Sequence, residues 1–438
     1  MKNAGGAAVM VIKKVFNHEL GEEMQFVQHQ SGLRVYLFPK KGFTKYYAIY
    51  GTEFGSLNRT FTVPGDSKMT TVPDGIAHYL EHKLFEEENG GNAFDRFATT
   101  GGSSNAFTSF DLTAYLFSCT DNFYENLDIL LDFVNHPYFT DENVAKEQGI
   151  IGQEIKMYDD EPEWRVFFNS LTAMFHNNPV KIDIAGTVES IAEITPEVLY
   201  KCYNTFYNPS NMILVLVGDI EMDKALSYVD KYVSEERNLG RINCFETDEP
   251  KERVQEYIEQ KLSVSQPIFR IGFKDNSPGM SGNELLKKEI TTEIILESIF
   301  GRSSDLYLEL YEMGIIDSTF DCEADIEKSY GFSLIGGESP EPKKVYEIIK
   351  ERLDKFRNTG IDDETISRAK KVLISQDIKT FNSVERMGNA FIRQLINGQN
   401  PLEYKSVVDS ITNDDIQKRL CEHFDTQNSV LSVVRPID

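Results

Sequence analysis

Basic residues are scarce in this chain, and so are histidine, tryptophan and paired cysteine. Lys and Arg number 45 against 70 Asp and Glu, which gives a formal net charge of −25 over 438 residues. Such a surface has no simple attraction for nucleic acid or for an anionic membrane, so neither is expected as a partner. The five cysteines, Cys119, Cys202, Cys244, Cys322 and Cys421, are scattered singly. No Cys-x-x-Cys pair occurs and the number is odd. That excludes a disulfide framework and points to reduced thiols in a cytoplasmic protein. Long hydrophobic runs are also missing. The short run Ala7-Ala8-Val9-Met10-Val11-Ile12 cannot span a membrane, and it lacks a basic start and a cleavage site. There is no Walker loop, no dinucleotide-binding glycine fingerprint after a strand and no convincing Ser-His-Asp signature. Gly51-Thr52-Glu53-Phe54-Gly55 reads as a strand end, not a phosphate cradle.

Two of the seven histidines fall within five residues, His78-Tyr79-Leu80-Glu81-His82. On a helix, positions i, i+3 and i+4 share one face. Both imidazoles then point the same way, one turn apart, with a carboxylate between them. Imidazoles suit a zinc ion, and a neighbouring carboxylate suits the activation of a water. The order His-x-x-Glu-His is the inverted form of the commoner zinc-protease signature. Pro73-Asp74-Gly75 suits a helix start, and Ile76, Leu80, Leu84 and Phe85 form an apolar stripe at helical spacing.

The chain is written twice. Ile191 to Val217 aligns without gaps with Val408 to Val434, at an offset of 217. In each copy a Thr before an acidic first turn opens a helix, and a β-branched run closes the unit as a strand. The upstream order also repeats. The first half reads strands at 33–38 and 46–54, the motif helix, a strand at 113–117, a helix at 124–134 and a long helix from Asp141. The second reads a strand at 267–273, a helix at 285–300, a strand at 332–335, a helix at 342–356 and a long helix from Asp363. Without strict βαβ alternation the fold class is α+β: two tandem homologous domains, each a mainly antiparallel sheet with helices packed on it. The expected division is 1–237, a connector at 238–252, and 253–438. The second domain has no metal site. No histidine lies between His176 and His423, and the stretch facing the motif helix reads Glu293-Ile294-Ile295-Leu296-Glu297.

A catalytic zinc takes three protein ligands and keeps one position open. The long helix after Asp141 offers Glu147, Glu154 and Glu161, spaced by seven and so near one face. Spacing alone does not choose among them. At this point the chain resembles the pitrilysin/insulinase family of zinc peptidases. The resemblance is carried by His78-Tyr79-Leu80-Glu81-His82, by Glu147-Gln148-Gly149-Ile150-Ile151-Gly152-Gln153-Glu154, by Asn105-Ala106-Phe107-Thr108-Ser109-Phe110-Asp111-Leu112-Thr113-Ala114-Tyr115, and by Gly186-Thr187-Val188-Glu189-Ser190-Ile191 ahead of Tyr207-Asn208-Pro209-Ser210-Asn211-Met212. It runs through nearly the whole chain, strongest over 70–220; within the family the chain resembles the short bacterial members and is similar to the mitochondrial processing peptidase subunits. The resemblance implies Zn2+ held by His78, His82 and Glu154, with Glu147 orienting a histidine and Glu81 as general base. It also implies that the strand around Asn105 and Ala106 is an open edge onto which a peptide adds as a further strand, in a clamshell-like cleft between the domains.

Many members carry Arg-x-x-x-Gly-x-x-Tyr in the second half, a pair that grips the substrate backbone. With Gly314 in register, this chain has Leu310 and Asp317 there. The expected function is therefore a zinc-dependent endopeptidase acting on peptides or unfolded segments. Its expected partner is a zinc-less homologue that supplies the Arg/Tyr pair, or a second copy in a homodimer. The alternative is a weakly active or non-catalytic structural subunit of such a heterodimer.

Overall fold

The tyrosine-rich run at 46–52 and the aliphatic run at 212–218 are buried almost throughout, and they form the middle of a seven-stranded sheet. The computed structural model describes residues 11–233, 239, 242–245 and 247–437. Most of the short apolar run 7–12, and residues 238, 240, 241 and 246 of the expected connector, lie outside these. The first sheet runs Lys13–Asn17, Glu22–Gln28, Arg34–Pro39, Met212–Gly218, Tyr46–Thr52, Thr113–Cys119 and Ser103–Thr108. Arg34–Pro39 and Met212–Gly218 are parallel, and the other neighbours are antiparallel. Ser103–Thr108 is therefore the terminal strand on one side, the position from which a sheet can be extended.

The second sheet repeats the last five strands of that order: Tyr257–Leu262, Val430–Pro436, Ile268–Lys274, Gly331–Glu338 and Asp321–Ile326. Here too only the first pair is parallel. The α+β expectation holds, and so do the helices and strands read from the repeat. Thr195 caps the helix Pro196–Phe206, and Thr412 caps Asn413–His423. Each helix leads into the matching buried strand, Met212–Gly218 or Val430–Pro436.

Sequence repeat and packing partition the chain differently. One compact unit comprises the described residues of Met1–Gly149, Ile184–Phe245 and Thr380–Ile396. The other comprises those of Ile150–Asp183, Glu246–Lys379 and Asn397–Asp438. Pro162–Met174, from the first repeat, packs on the second sheet, where Val166 joins Ile268 and Val434 in a dry cluster. Val384–Ile396, from the second repeat, packs on the first sheet. Both are amphipathic helices, and each buries its apolar face on a sheet of the opposite repeat. A Cβ on Gly388 would lie 2.3 Å from the buried Tyr47 ring, so glycine sets how closely that helix approaches.

In the second unit, Gly282–Phe300 and Asp363–Thr380 bring Glu293 and Asp377 into one acidic cluster, with the Tyr404 hydroxyl donating to Oε2 of Glu293 at 2.8 Å. Burial, and then the charge of Glu293, raises Asp377 to about 7. An unfolded chain ionises Asp near ~4. The native state thus keeps a proton that the unfolded state releases. Stability from this group is complete below ~4 and is lost as pH rises through about 7. Asp377→Asn is expected to stabilise the protein by on the order of 1 kcal/mol at pH 8 after solvent screening, with no gain at pH 4. Urea midpoints at the two pH values check this, and an equal shift at both would contradict it.

Candidate metal centre

The motif helix Ile76–Leu84 begins where only glycine is comfortable. Gly75 has φ +85°, and a Cβ there would lie 2.3 Å from the carbonyl oxygen of Ala185. From the same neighbourhood Ser190 donates to the carbonyl of Asp74 at 2.9 Å, while Thr187 and Ser190 cap the helix Val188–Ile191 reciprocally. The Gly186-Thr187-Val188-Glu189-Ser190-Ile191 stretch is therefore a brace on the helix start. Asp74 does not cap the motif helix, because its carboxylate is engaged by Arg59. The stripe Ile76, Leu80, Leu84 and Phe85 is buried as its spacing predicts.

On the face next to the two imidazoles the helix presents a further buried side, formed by Tyr79 and Lys83. Tyr79 is fully buried, and its hydroxyl donates to the carbonyl of Val144 on the helix Asp141–Asp159. One turn along from there comes Glu147, and Glu154 follows two turns further on. Nδ1 of His82 donates to Oε1 of Glu147 at 3.1 Å. The other carboxylate oxygen lies 3.7 Å from Nζ of Lys83, which is wholly buried and also pairs with Glu86 at 2.6 Å. Burial pushes Glu147 upward, but the His82 hydrogen bond and the charges of His82, Lys83 and Lys146 outweigh it and hold the group below its ordinary value. With Nδ1 so engaged, Nε2 is the nitrogen His82 could offer to a metal.

His78, His82 and Glu154 each offer a donor atom, and the three atoms lie within 4.8 Å of one another. All three side chains are partly buried. The rings of His78 and His82 meet edge to face, with centroids 4.6 Å apart. Burial, and then the neighbouring His82, pulls His78 down to about 3, so it is a neutral imidazole at physiological pH. Two imidazoles and a carboxylate are a donor set that suits a tetrahedral divalent ion with one open position. Glu154 is itself steadied by Tyr158, whose hydroxyl donates to Oε1 at 2.9 Å. Tyr158 stacks on Trp164, and Trp164 donates to Asp183 at 2.5 Å. Of the three spaced glutamates, Glu161 leaves the face: the helix ends at Asp159, and Glu161 stands ahead of Pro162, which opens the next.

Glu81 is 8% exposed, and its Oε2 accepts from the hydroxyl of Thr108 at 2.6 Å. Thr108 closes the terminal strand that also carries Asn105 and Ala106. Asn105 is exposed, and its side-chain oxygen accepts from the Ala106 N–H at 2.9 Å. Sequence reading missed Thr108, Lys83 and Tyr158. Tyr158 lies four residues from Glu154 and was within reach of helical spacing. The other two pair across long stretches of chain.

Elsewhere, Leu310 is fully buried in the second unit's core, and Asp317 accepts from the backbone and hydroxyl of Thr319. Neither offers a substrate grip. A Ser31-His29-Asp230 set also occurs, with contacts of 2.7 and 2.9 Å, but Ser31 is wholly buried and the three groups clamp a turn. No helix among the described residues is long and apolar enough to cross a membrane.

These features match known proteins. Residues 69–188 match the model for Insulinase (Peptidase family M16), and residues 193–373 match that for the Peptidase M16 inactive domain. The chain is 42% identical to a Bacillus subtilis (strain 168) protein named uncharacterized zinc protease YmfH, over 97% of this chain and 100% of the relative. An M16-like peptidase from Alicyclobacillus acidocaldarius has a similar crystal structure, with a TM-score of 0.88 at 33% identity, covering 98% of this chain and 99% of that one. Pitrilysin shares the fold at a TM-score of 0.75 and 18% identity, and 97% of this chain covers 46% of it. With a full-length relative at this level of identity, and with both halves matched, the chain belongs to the M16 (insulinase/pitrilysin) family of peptidases.

Proposed function

We propose that this chain is a zinc-dependent endopeptidase that hydrolyses peptides or unfolded segments. The observation that carries the reading is the convergence of His78, His82 and Glu154 beside a buried carboxylate, Glu81, on the same helix as both imidazoles. His78, His82 and Glu154 would hold the ion, and Glu147 orients His82 through the Nδ1 hydrogen bond. Bound there, zinc supplies Lewis acidity toward a water and the scissile carbonyl. Glu81 takes a proton from the attacking water and returns it to the leaving amine. The substrate lies extended along Ser103–Thr108, using the backbone of Asn105 and Ala106 as the next strand of the sheet would. The five free cysteines fit a reducing, cytoplasmic setting.

Glu81→Gln keeps the shape and removes the base. It is expected to retain one zinc per chain by atomic absorption and to lose at least ~10²-fold in turnover of a quenched peptide. Full activity in that variant would rule the mechanism out. Glu147→Gln removes the charge that faces His82 and Lys83. The expected result is a ~10–100-fold loss in zinc affinity in a chelator competition, and unchanged affinity would deny the orienting role.

The Arg/Tyr pair is absent, since Leu310 is core and Asp317 belongs to a turn. The reading therefore includes a second subunit, a zinc-less homologue that carries the pair, or a homodimer in its place. An intact donor set disfavours a purely structural subunit. The isolated chain is expected to be weakly active and to gain activity when co-expressed with such a homologue. High turnover by the purified lone chain would remove the need for a partner.

A further inference from the structure

We propose that Thr108 is a positioning residue for Glu81, and that the terminal strand thereby fixes the base and the peptide in one register. The inference rests on the peptidase reading above. The hydroxyl of Thr108 donates to Oε2 of Glu81 at 2.6 Å, across 27 residues of chain. Its other polar neighbour, the hydroxyl of Thr113, lies at 3.4 Å, and Thr113 gives its own proton to the carbonyl of Phe54 at 2.8 Å. Glu81 is therefore the short partner, and the Thr108 proton is committed to it.

A hydroxyl is well suited to this place because it donates to a carboxylate without adding a charge beside it. When Glu81 is ionised, Thr108 donates to it. The bond occupies Oε2 and leaves the proton exchange with water and amine to Oε1. The carboxyl group stays oriented in both halves of the cycle. Ala106 and Thr108 stand two apart on one strand and share a face. The residue that would receive the peptide backbone and the residue that holds the base thus belong to one rigid segment.

The second repeat supplies an internal control. Tyr115 pairs with Ala106 and Thr113 with Thr108, while Ile335 pairs with Cys322 and Ser333 with Ala324. Tyr50 ties Tyr115 to Leu214, and Ile271 ties Ile335 to Leu431, the partner of Leu214 at the repeat offset of 217. Ala324 therefore stands where Thr108 does. The copy without histidines on its helix Gly282–Phe300 also lacks the hydroxyl.

The test is steady-state kinetics on a quenched peptide for wild type, Thr108→Val, Thr108→Ser and Glu81→Gln, each with its zinc content and unfolding midpoint. Thr108→Val is expected to lower kcat by ~10–100-fold, with KM within twofold and zinc unchanged. Thr108→Ser is expected to keep at least half of kcat, because it keeps the donor. If Thr108→Val does not fold, Thr108→Ala is read in its place. A valine variant with kcat within twofold of wild type, or a serine variant as impaired as valine, overturns the inference while leaving the peptidase reading intact. Undiminished turnover by Glu81→Gln overturns both.

Discussion

The docking of the motif helix on the helix Asp141–Asp159 is the contact on which everything else here depends. It is made by Tyr79 reaching the carbonyl of Val144 and by Glu147 standing between His82 and Lys83. All three anchors are buried, with Lys83 at 0% and Glu147 at 6% exposure. Charges are buried in this way only when paired, and removing one partner of such a pair typically costs about 3–5 kcal/mol. The same carboxylate that balances Lys83 also holds the His82 ring, so one interaction serves both stability and the placing of a candidate donor.

From that contact the site is built outward. Gly75 and Ser190 fix where the motif helix starts, and Tyr158 and Trp164 steady the carboxylate two turns beyond Glu147. On the other side the terminal strand reaches Glu81 through Thr108. His82 and Glu154 are thus each held by a neighbour, which lowers the reorganisation that binding an ion would require.

Local periodicity made much of this legible in the sequence. The imidazole pair, the apolar stripe, the capping threonines Thr195 and Thr412 and the two buried strands they lead to all depend on residues within one or two turns. Long-range choices were not legible. Spacing could not rank Glu147, Glu154 and Glu161, because what separates them is a histidine 65 residues away and a helix end before Pro162. Amphipathicity announces that Pro162–Met174 and Val384–Ile396 are packed, but not that each covers the other repeat's sheet. The outer strand Lys13–Asn17 is almost wholly exposed and lacks the alternation that marks a half-buried strand, whereas Asp321–Ile326 does alternate but is too short and too polar to stand out from a loop.

The central claim is that three donors from two helices meet at one ion. Anomalous diffraction at the zinc edge, from crystals of protein grown with ample zinc, tests it most directly. The account predicts a single strong peak bounded by His78, His82 and Glu154. Zinc bound stoichiometrically but located elsewhere, or no peak between these three side chains, would contradict it.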